Sequence, residues 1–128
     1  IEQVVEAVKS RLSATKTIVL LKGDLGTGKT TLVKHLVKSL DDSVLVDSPT
    51  FSLVNTYDLP TALIHHFDLY RLEEIEEIED IGFWEYIDSN AWNFIEWPEK
   101  IADLLPEEKT ITVDITLNLE QCREYFLS

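Results

Sequence analysis

The sequence predicts an α/β fold of three layers, with helices on both faces of a mixed, mostly parallel central sheet that includes a β-hairpin. Three observations predict it. Thr17 to Leu21 is an apolar, β-branched run that leads through a glycine-rich loop straight into a helix-patterned segment. Strand-like and helix-like runs alternate along the rest of the chain. Phe51 to Tyr57 and Ala62 to Phe67 are strand-like runs separated only by Asp58-Leu59-Pro60-Thr61, which signals a hairpin.

Each element follows from its own pattern. Val4, Val5, Val8 and Leu12 recur at helical spacing, predicting an amphipathic helix over Glu2 to Leu12. Thr17 to Leu21 has no polar alternation, as expected of a strand covered on both faces. Leu32, Val33, Leu36, Val37 and Leu40 mark a helix that stops at Asp41-Asp42. Val44 to Val46 reads as a short strand before Ser48-Pro49-Thr50, and the hairpin follows. Leu72, Ile75, Ile78 and Ile81 lie three apart, predicting a helix that Gly82 ends, and Phe83 to Ile87 predicts another short one. Ala91 to Ile95 is a strand closing on Glu96-Trp97-Pro98. Ile101 to Leu105 is a helix stopped by Pro106, and Thr110 to Leu119 alternates with the period of a strand.

The chain has 128 residues, 45% of them hydrophobic, which suits one domain over residues 1–128 with one core and one site. No apolar run approaches the roughly 18 residues of a membrane span. The single cysteine, Cys122, excludes an internal disulfide and a cysteine-based metal cage, and the expected compartment is the cytoplasm. The sequence contains no Met and starts at Ile1, so further residues are expected ahead of it.

The net charge of −13 is unevenly placed. Residues 1–60 hold seven Lys/Arg and seven Asp/Glu, whereas residues 61–128 hold four against seventeen. Such a surface repels phosphate backbones, so a role with nucleic acid would need a partner to hold it. The plainer reading, an acidic surface that keeps the protein dissolved, stands beside it.

Gly23-Asp24-Leu25-Gly26-Thr27-Gly28-Lys29-Thr30 satisfies G-x-x-x-x-G-K-[ST] in full. A chance match in a chain of this length is on the order of half a percent. The strand before it and the helix after it are the context a phosphate-binding loop requires, which makes the fold P-loop NTPase-like. Glycines let successive backbone amides curl around an anion, and the helix N-terminus adds its partial positive charge. Lys29 can reach the β- and γ-phosphates and the Thr30 hydroxyl can sit on Mg²⁺. The chemistry still needs an acid at the end of a neighbouring strand, and both Glu96 and Asp68 qualify. Glu96 is assigned to the magnesium shell, leaving Asp68 to orient the attacking water or a ligand. Which of the two acts on the water stays open at this point.

Other candidates are weaker. Thr50, in a proline-stiffened loop, could sense the γ-phosphate, or could simply start a strand. His65-His66 suggests a metal pair, but neighbours on a strand point to opposite faces, so zinc is rejected. The acidic run from Glu73 to Asp80 is either a solvated face or a docking surface for a basic partner. Trp92 and Trp97 read as core, with Trp97 the better functional candidate because it adjoins Glu96.

Four segments, taken in order, resemble one family. They are Gly23 to Thr31, Ser48-Pro49-Thr50-Phe51, His66-Phe67-Asp68-Leu69-Tyr70-Arg71 and Glu96-Trp97-Pro98-Glu99. Together they are similar to the TsaE (YjeE) family, small bacterial ATPases of tRNA threonylcarbamoyladenosine (t6A) biosynthesis. The resemblance implies binding and slow hydrolysis of ATP with Mg²⁺. It also implies work on a complex of TsaD-like and TsaB-like proteins, which places threonylcarbamoyl on N6 of adenosine 37 in tRNAs reading ANN codons. It implies that Thr30 and Glu96 are magnesium ligands, that Gly26, Thr27, Gly28, Lys29, Thr30 and Thr31 wrap the phosphates, and that Asp68 serves hydrolysis. Gln3 and Arg123 stand where the family touches the nucleotide, although Gln3 replaces a common hydroxyl residue and the family's strand ahead of the first helix has no counterpart here.

Rival classes share parts of this pattern. A small-molecule kinase would carry the same loop together with a basic lid, yet no Lys or Arg lies between Arg71 and Lys100. A GTPase would need an N-K-x-D run for guanine, which is lacking. A nucleotide-dependent scaffold would keep the loop without an effective water-activating acid.

Overall fold

The structure, a computed structural model, describes residues 1–47 and 53–128. Thr50 and the predicted start of the first hairpin strand lie outside the described residues. Among the described residues six strands form one sheet: β1 (Ile18–Lys22), β2 (Val54–Asp58), β3 (Leu63–Asp68), β4 (Trp92–Glu96), β5 (Thr110–Leu117) and β6 (Arg123–Leu127). Their order is β2-β3-β4-β1-β5-β6. The three inner pairings, β3 with β4, β4 with β1 and β1 with β5, are parallel, and β2 and β6 pair antiparallel at the two edges.

Helices cover both faces, giving the expected three layers. On one face α1 (Glu2–Arg11) and α2 (Lys29–Leu40) bury Val5, Val8, Leu32, Val33, Leu36 and Val37 against Val19, Leu21, Phe94, Ile111 and Val113. On the other, the short helices α3 (Glu76–Asp80) and α4 (Phe83–Asp88) and the segment around Ile101 and Leu105 pack Ile78, Phe83 and Ile87 against Ile18, Leu20, Phe67 and Ile95. Successive residues of β1 enter opposite cores, so four in a row are buried and the strand reads as wholly apolar.

Several predicted elements differ. Val44 to Val46 forms no strand: Val44 and Val46 still pack on the core, but the described backbone there has no ladder partner. The helix predicted across Leu72 to Ile81 shrinks to Glu76–Asp80. Like charges four apart, Glu73 with Glu77 and Glu76 with Asp80, oppose a longer helix. The Glu77 carboxylate instead accepts bonds from the Glu73 and Glu74 amides at 2.8 and 2.9 Å. The helix predicted over Ile101 to Leu105 is one 3-10 turn, Ala102–Leu104. Leu105 precedes Pro106 and is forced into the extended region. β5 ends at Leu117 rather than Leu119, because the Asn118 side chain accepts bonds from the Glu120 and Cys122 amides and turns the chain into β6, a strand the sequence reading missed.

Candidate functional site

Parallel pairing brings the C-terminal ends of β1, β3 and β4 to one edge of the sheet, where ligands collect in open α/β folds. Asp68 and Glu96 are register partners across β3 and β4, and Leu21 on β1 pairs with Glu96 on its other side. Residues 23–28 then carry the chain from β1 into α2. Gly23 is required there: a Cβ would meet Thr27 Oγ1 at 2.5 Å and the Ile115 carbonyl at 2.7 Å. Gly28 holds φ at +101°, and its Cβ would lie 2.9 Å from Arg123 Nε.

A cleft of about 380 Å³ opens over this edge. Gly26, Gly28, Lys29, Thr30 and Thr31 line it from the loop and the first turn of α2, Asp68 and Glu96 from the strand ends, and Arg123 from β6. One cavity thus gathers most of the predicted site. Two predicted nucleotide contacts stand apart. Gln3 is exposed on α1 and does not line the cleft. Thr27 is buried, with its hydroxyl donating to the Asp24 carbonyl at 2.9 Å, so its side chain shapes the loop from behind.

Lys29 is 5% exposed and donates from Nζ to the carbonyls of Gly23 (2.6 Å) and Asp24 (2.9 Å). Its ammonium also lies 3.9 Å from the Trp97 ring centroid, a cation–π contact. Burial pulls the Lys29 pKa below the usual lysine value, against the opposing pull of Glu96, Glu99, Asp68 and Asp24. Trp97 adopts φ +56°, uncommon for so bulky a residue, and its ring meets Tyr70 at 4.8 Å between centroids. Tyr70 lines the cleft as well, a residue that sequence reasoning did not single out.

The two predicted magnesium ligands touch. Thr30 Oγ1 lies 2.7 Å from Glu96 Oε1 and 2.9 Å from Oε2, with Glu96 2% exposed. A hydroxyl and a carboxylate held together at the N-terminus of α2 are hard oxygen donors of the kind magnesium takes. The residues therefore fit the ion. Glu96 has a further partner that went unforeseen: His66 Nε2 lies 2.5 Å from Oε2. The i, i+2 spacing of His66 and Asp68 on one strand was the signal that could have found it. His65 points to the other face, where its ring nitrogens meet Thr56 and Ser89.

Asp68 accepts the Tyr70 amide at 3.1 Å. Burial pushes its carboxyl above the ordinary aspartate value; the Tyr70 amide opposes that, Glu96 adds to it, and His66 and Lys29 oppose it. A carboxylate with a raised proton affinity beside such a cleft is suited to accept a proton or hold a water.

Comparison with known proteins decides the family. The family described as "Threonylcarbamoyl adenosine biosynthesis protein TsaE" matches residues 1–125. The chain belongs to the TsaE family. Among its relatives, the Haemophilus influenzae tRNA threonylcarbamoyladenosine biosynthesis protein TsaE is 40% identical over 111 residues, 86% of this chain and 67% of that protein. Its Bacillus subtilis counterpart is 37% identical over 92 residues, 72% of this chain and 57% of that protein. The crystal structure of Bacillus subtilis YdiB superposes with a TM-score of 0.73 at 24% identity, covering 98% of this chain and 77% of that one, which shows a shared fold. No helix among the described residues of this TsaE-family chain is long and apolar enough to cross a membrane.

Proposed function

We propose that this TsaE-family protein binds ATP with Mg²⁺ and hydrolyses it, and that the cycle serves formation of t6A at adenosine 37 of tRNAs reading ANN codons. On this reading it works in the cytoplasm on a complex of TsaD-like and TsaB-like proteins, and tRNA reaches it only through that complex. The contact of Thr30 with Glu96, at the mouth of a complete phosphate loop, carries the proposal.

In this mechanism the amides of Gly26 to Thr31 and the Lys29 ammonium bind the β- and γ-phosphates, helped by the N-terminal charge of α2. Arg123, packed over Gly28, supplies a second cation at the cleft. Thr30 and Glu96 would hold Mg²⁺, which, when bound, spreads and neutralises phosphate charge. Asp68 orients the water in line with the γ-phosphorus and takes its proton. Trp97 and Tyr70 wall one side and limit solvent access to the phosphates.

Phosphate release measured with and without Mg²⁺, and with and without a purified TsaD–TsaB pair, tests the reading. Magnesium-dependent release of free phosphate that the pair stimulates supports all of it. Transfer of the phosphoryl group to a small molecule would favour the kinase alternative, and tight ATP binding with no release under any condition would leave a scaffold.

A further inference from the structure

His66 plays no part in the mechanism above, yet it is fully buried in the sheet layer beneath the cleft. Nε2 meets Glu96 Oε2 at 2.5 Å, while Nδ1, also buried, finds no hydrogen-bond partner among the described residues. An apolar side chain would fill the position without leaving a nitrogen unpaired, so the imidazole carries a cost that core packing does not explain. Among the described residues, only the Glu96 contact offsets it. A carboxylate oxygen accepts only, which makes Nε2 the donor. The strand register places the contact: His66 pairs with Phe94 and Asp68 with Glu96, so His66 sits one pleat back from the sheet edge with its ring aimed forward at the carboxylate.

We propose that His66 is the positioning residue of the magnesium site: its Nε2–H fixes the plane of the Glu96 carboxylate so that Glu96 and the Thr30 hydroxyl are set for the cation before it arrives. This rests on the Mg·ATP reading above. Thr30 meets both carboxylate oxygens and by itself leaves the group free to rotate; a second donor, reaching Oε2 from β3, removes that freedom. Hydrogen-bond partners behind a metal-binding carboxylate characteristically change cation affinity ten- to a hundred-fold. Binding of nucleotide without metal, which uses the loop amides, Lys29 and Arg123, does not involve His66.

The test contrasts two amides of different reach. In His66→Gln the amide nitrogen extends about as far as Nε2; in His66→Asn it stops near the depth of Nδ1, short of Glu96. Calorimetry with a non-hydrolysable ATP analogue, in EDTA and in Mg²⁺, is run on the full chain beside Mn²⁺ titration followed by electron paramagnetic resonance, with thermal melts to check folding. In EDTA both variants are expected to bind the analogue within about twofold of the native chain. His66→Asn should lose roughly ten- to a hundred-fold in cation affinity and His66→Gln should recover most of it. A folded His66→Asn with native cation affinity, or a folded His66→Gln that falls as far as His66→Asn, overturns the proposal. If the native chain itself shows no magnesium enhancement, the Mg·ATP reading fails, and this proposal falls with it.

Discussion

On the proposed mechanism, Asp68 is a single carboxyl that serves chemistry at the expense of the fold. Burial raises its pKa above the unfolded value of about 3.8, so ionising it costs more in the folded chain than in the unfolded one. The stabilising contribution is therefore complete below that unfolded value and is lost as pH rises through the folded one. Asp68→Asn keeps an oxygen for the Tyr70 amide and cannot ionise. It is expected to melt above the native chain at pH 7, by less than about 1 kcal/mol after solvent screening, and level with it near pH 3.5. The same variant should still bind ATP but release no phosphate above background. Phosphate release at the native rate would remove Asp68 from the mechanism. Glu96 and Asp68 were both visible in the sequence as acids closing apolar strands. Their pairing side by side, and His66 behind Glu96, needed the register of β3 on β4.

At the level of elements, legibility followed local signal strength. The loop between β1 and α2 and both flanking elements were legible because β1 is buried on both faces, the glycines fall at fixed positions of the loop motif, and the apolar residues of α2 recur at helical spacing. β6 was not: Arg123 to Leu127 is mostly exposed at a sheet edge, so its hydropathy carries little period-two pattern. It matters nonetheless, because this strand delivers Arg123 to the cleft. The acidic segment before Gly82 misled in the opposite sense, since apolar spacing of three cannot show that its charges repel along the helix. A third case is His65, which ties the hairpin to α4 through Thr56 Oγ1 at 3.1 Å and Ser89 Oγ at 3.3 Å. Burial holds its pKa below the usual histidine value. Stability from this neutral ring is complete above about pH 6.5 and lost as pH falls through the folded value. Urea midpoints at pH 7.5 and 5.0 are expected to fall further for the native chain than for His65→Gln; equal falls would assign the pH dependence elsewhere.

For the whole molecule, charge separates the two kinds of phosphate the protein would meet. The positive features gathered at the cleft, Lys29, Arg123 and the α2 N-terminus, form a small site, whereas residues 61–128 carry seventeen acids against four bases. A triphosphate can enter locally while a long polyanion is repelled. The chain alone is therefore expected to retain no tRNA in a gel-shift assay at 0.15 M salt, and to co-migrate with tRNA only when the TsaD–TsaB pair is present. Retention by the isolated chain would contradict this division of labour.

The central claim is that loop amides and one buried lysine cup a triphosphate at the sheet edge. Isothermal calorimetry of Mg·ATP against the native chain and Lys29→Ala tests it most directly, with melts to verify that the variant folds. Loss of a charge-assisted bond to phosphate should weaken binding by at least about tenfold and up to about a hundredfold. Equal affinity in a folded Lys29→Ala would contradict the account.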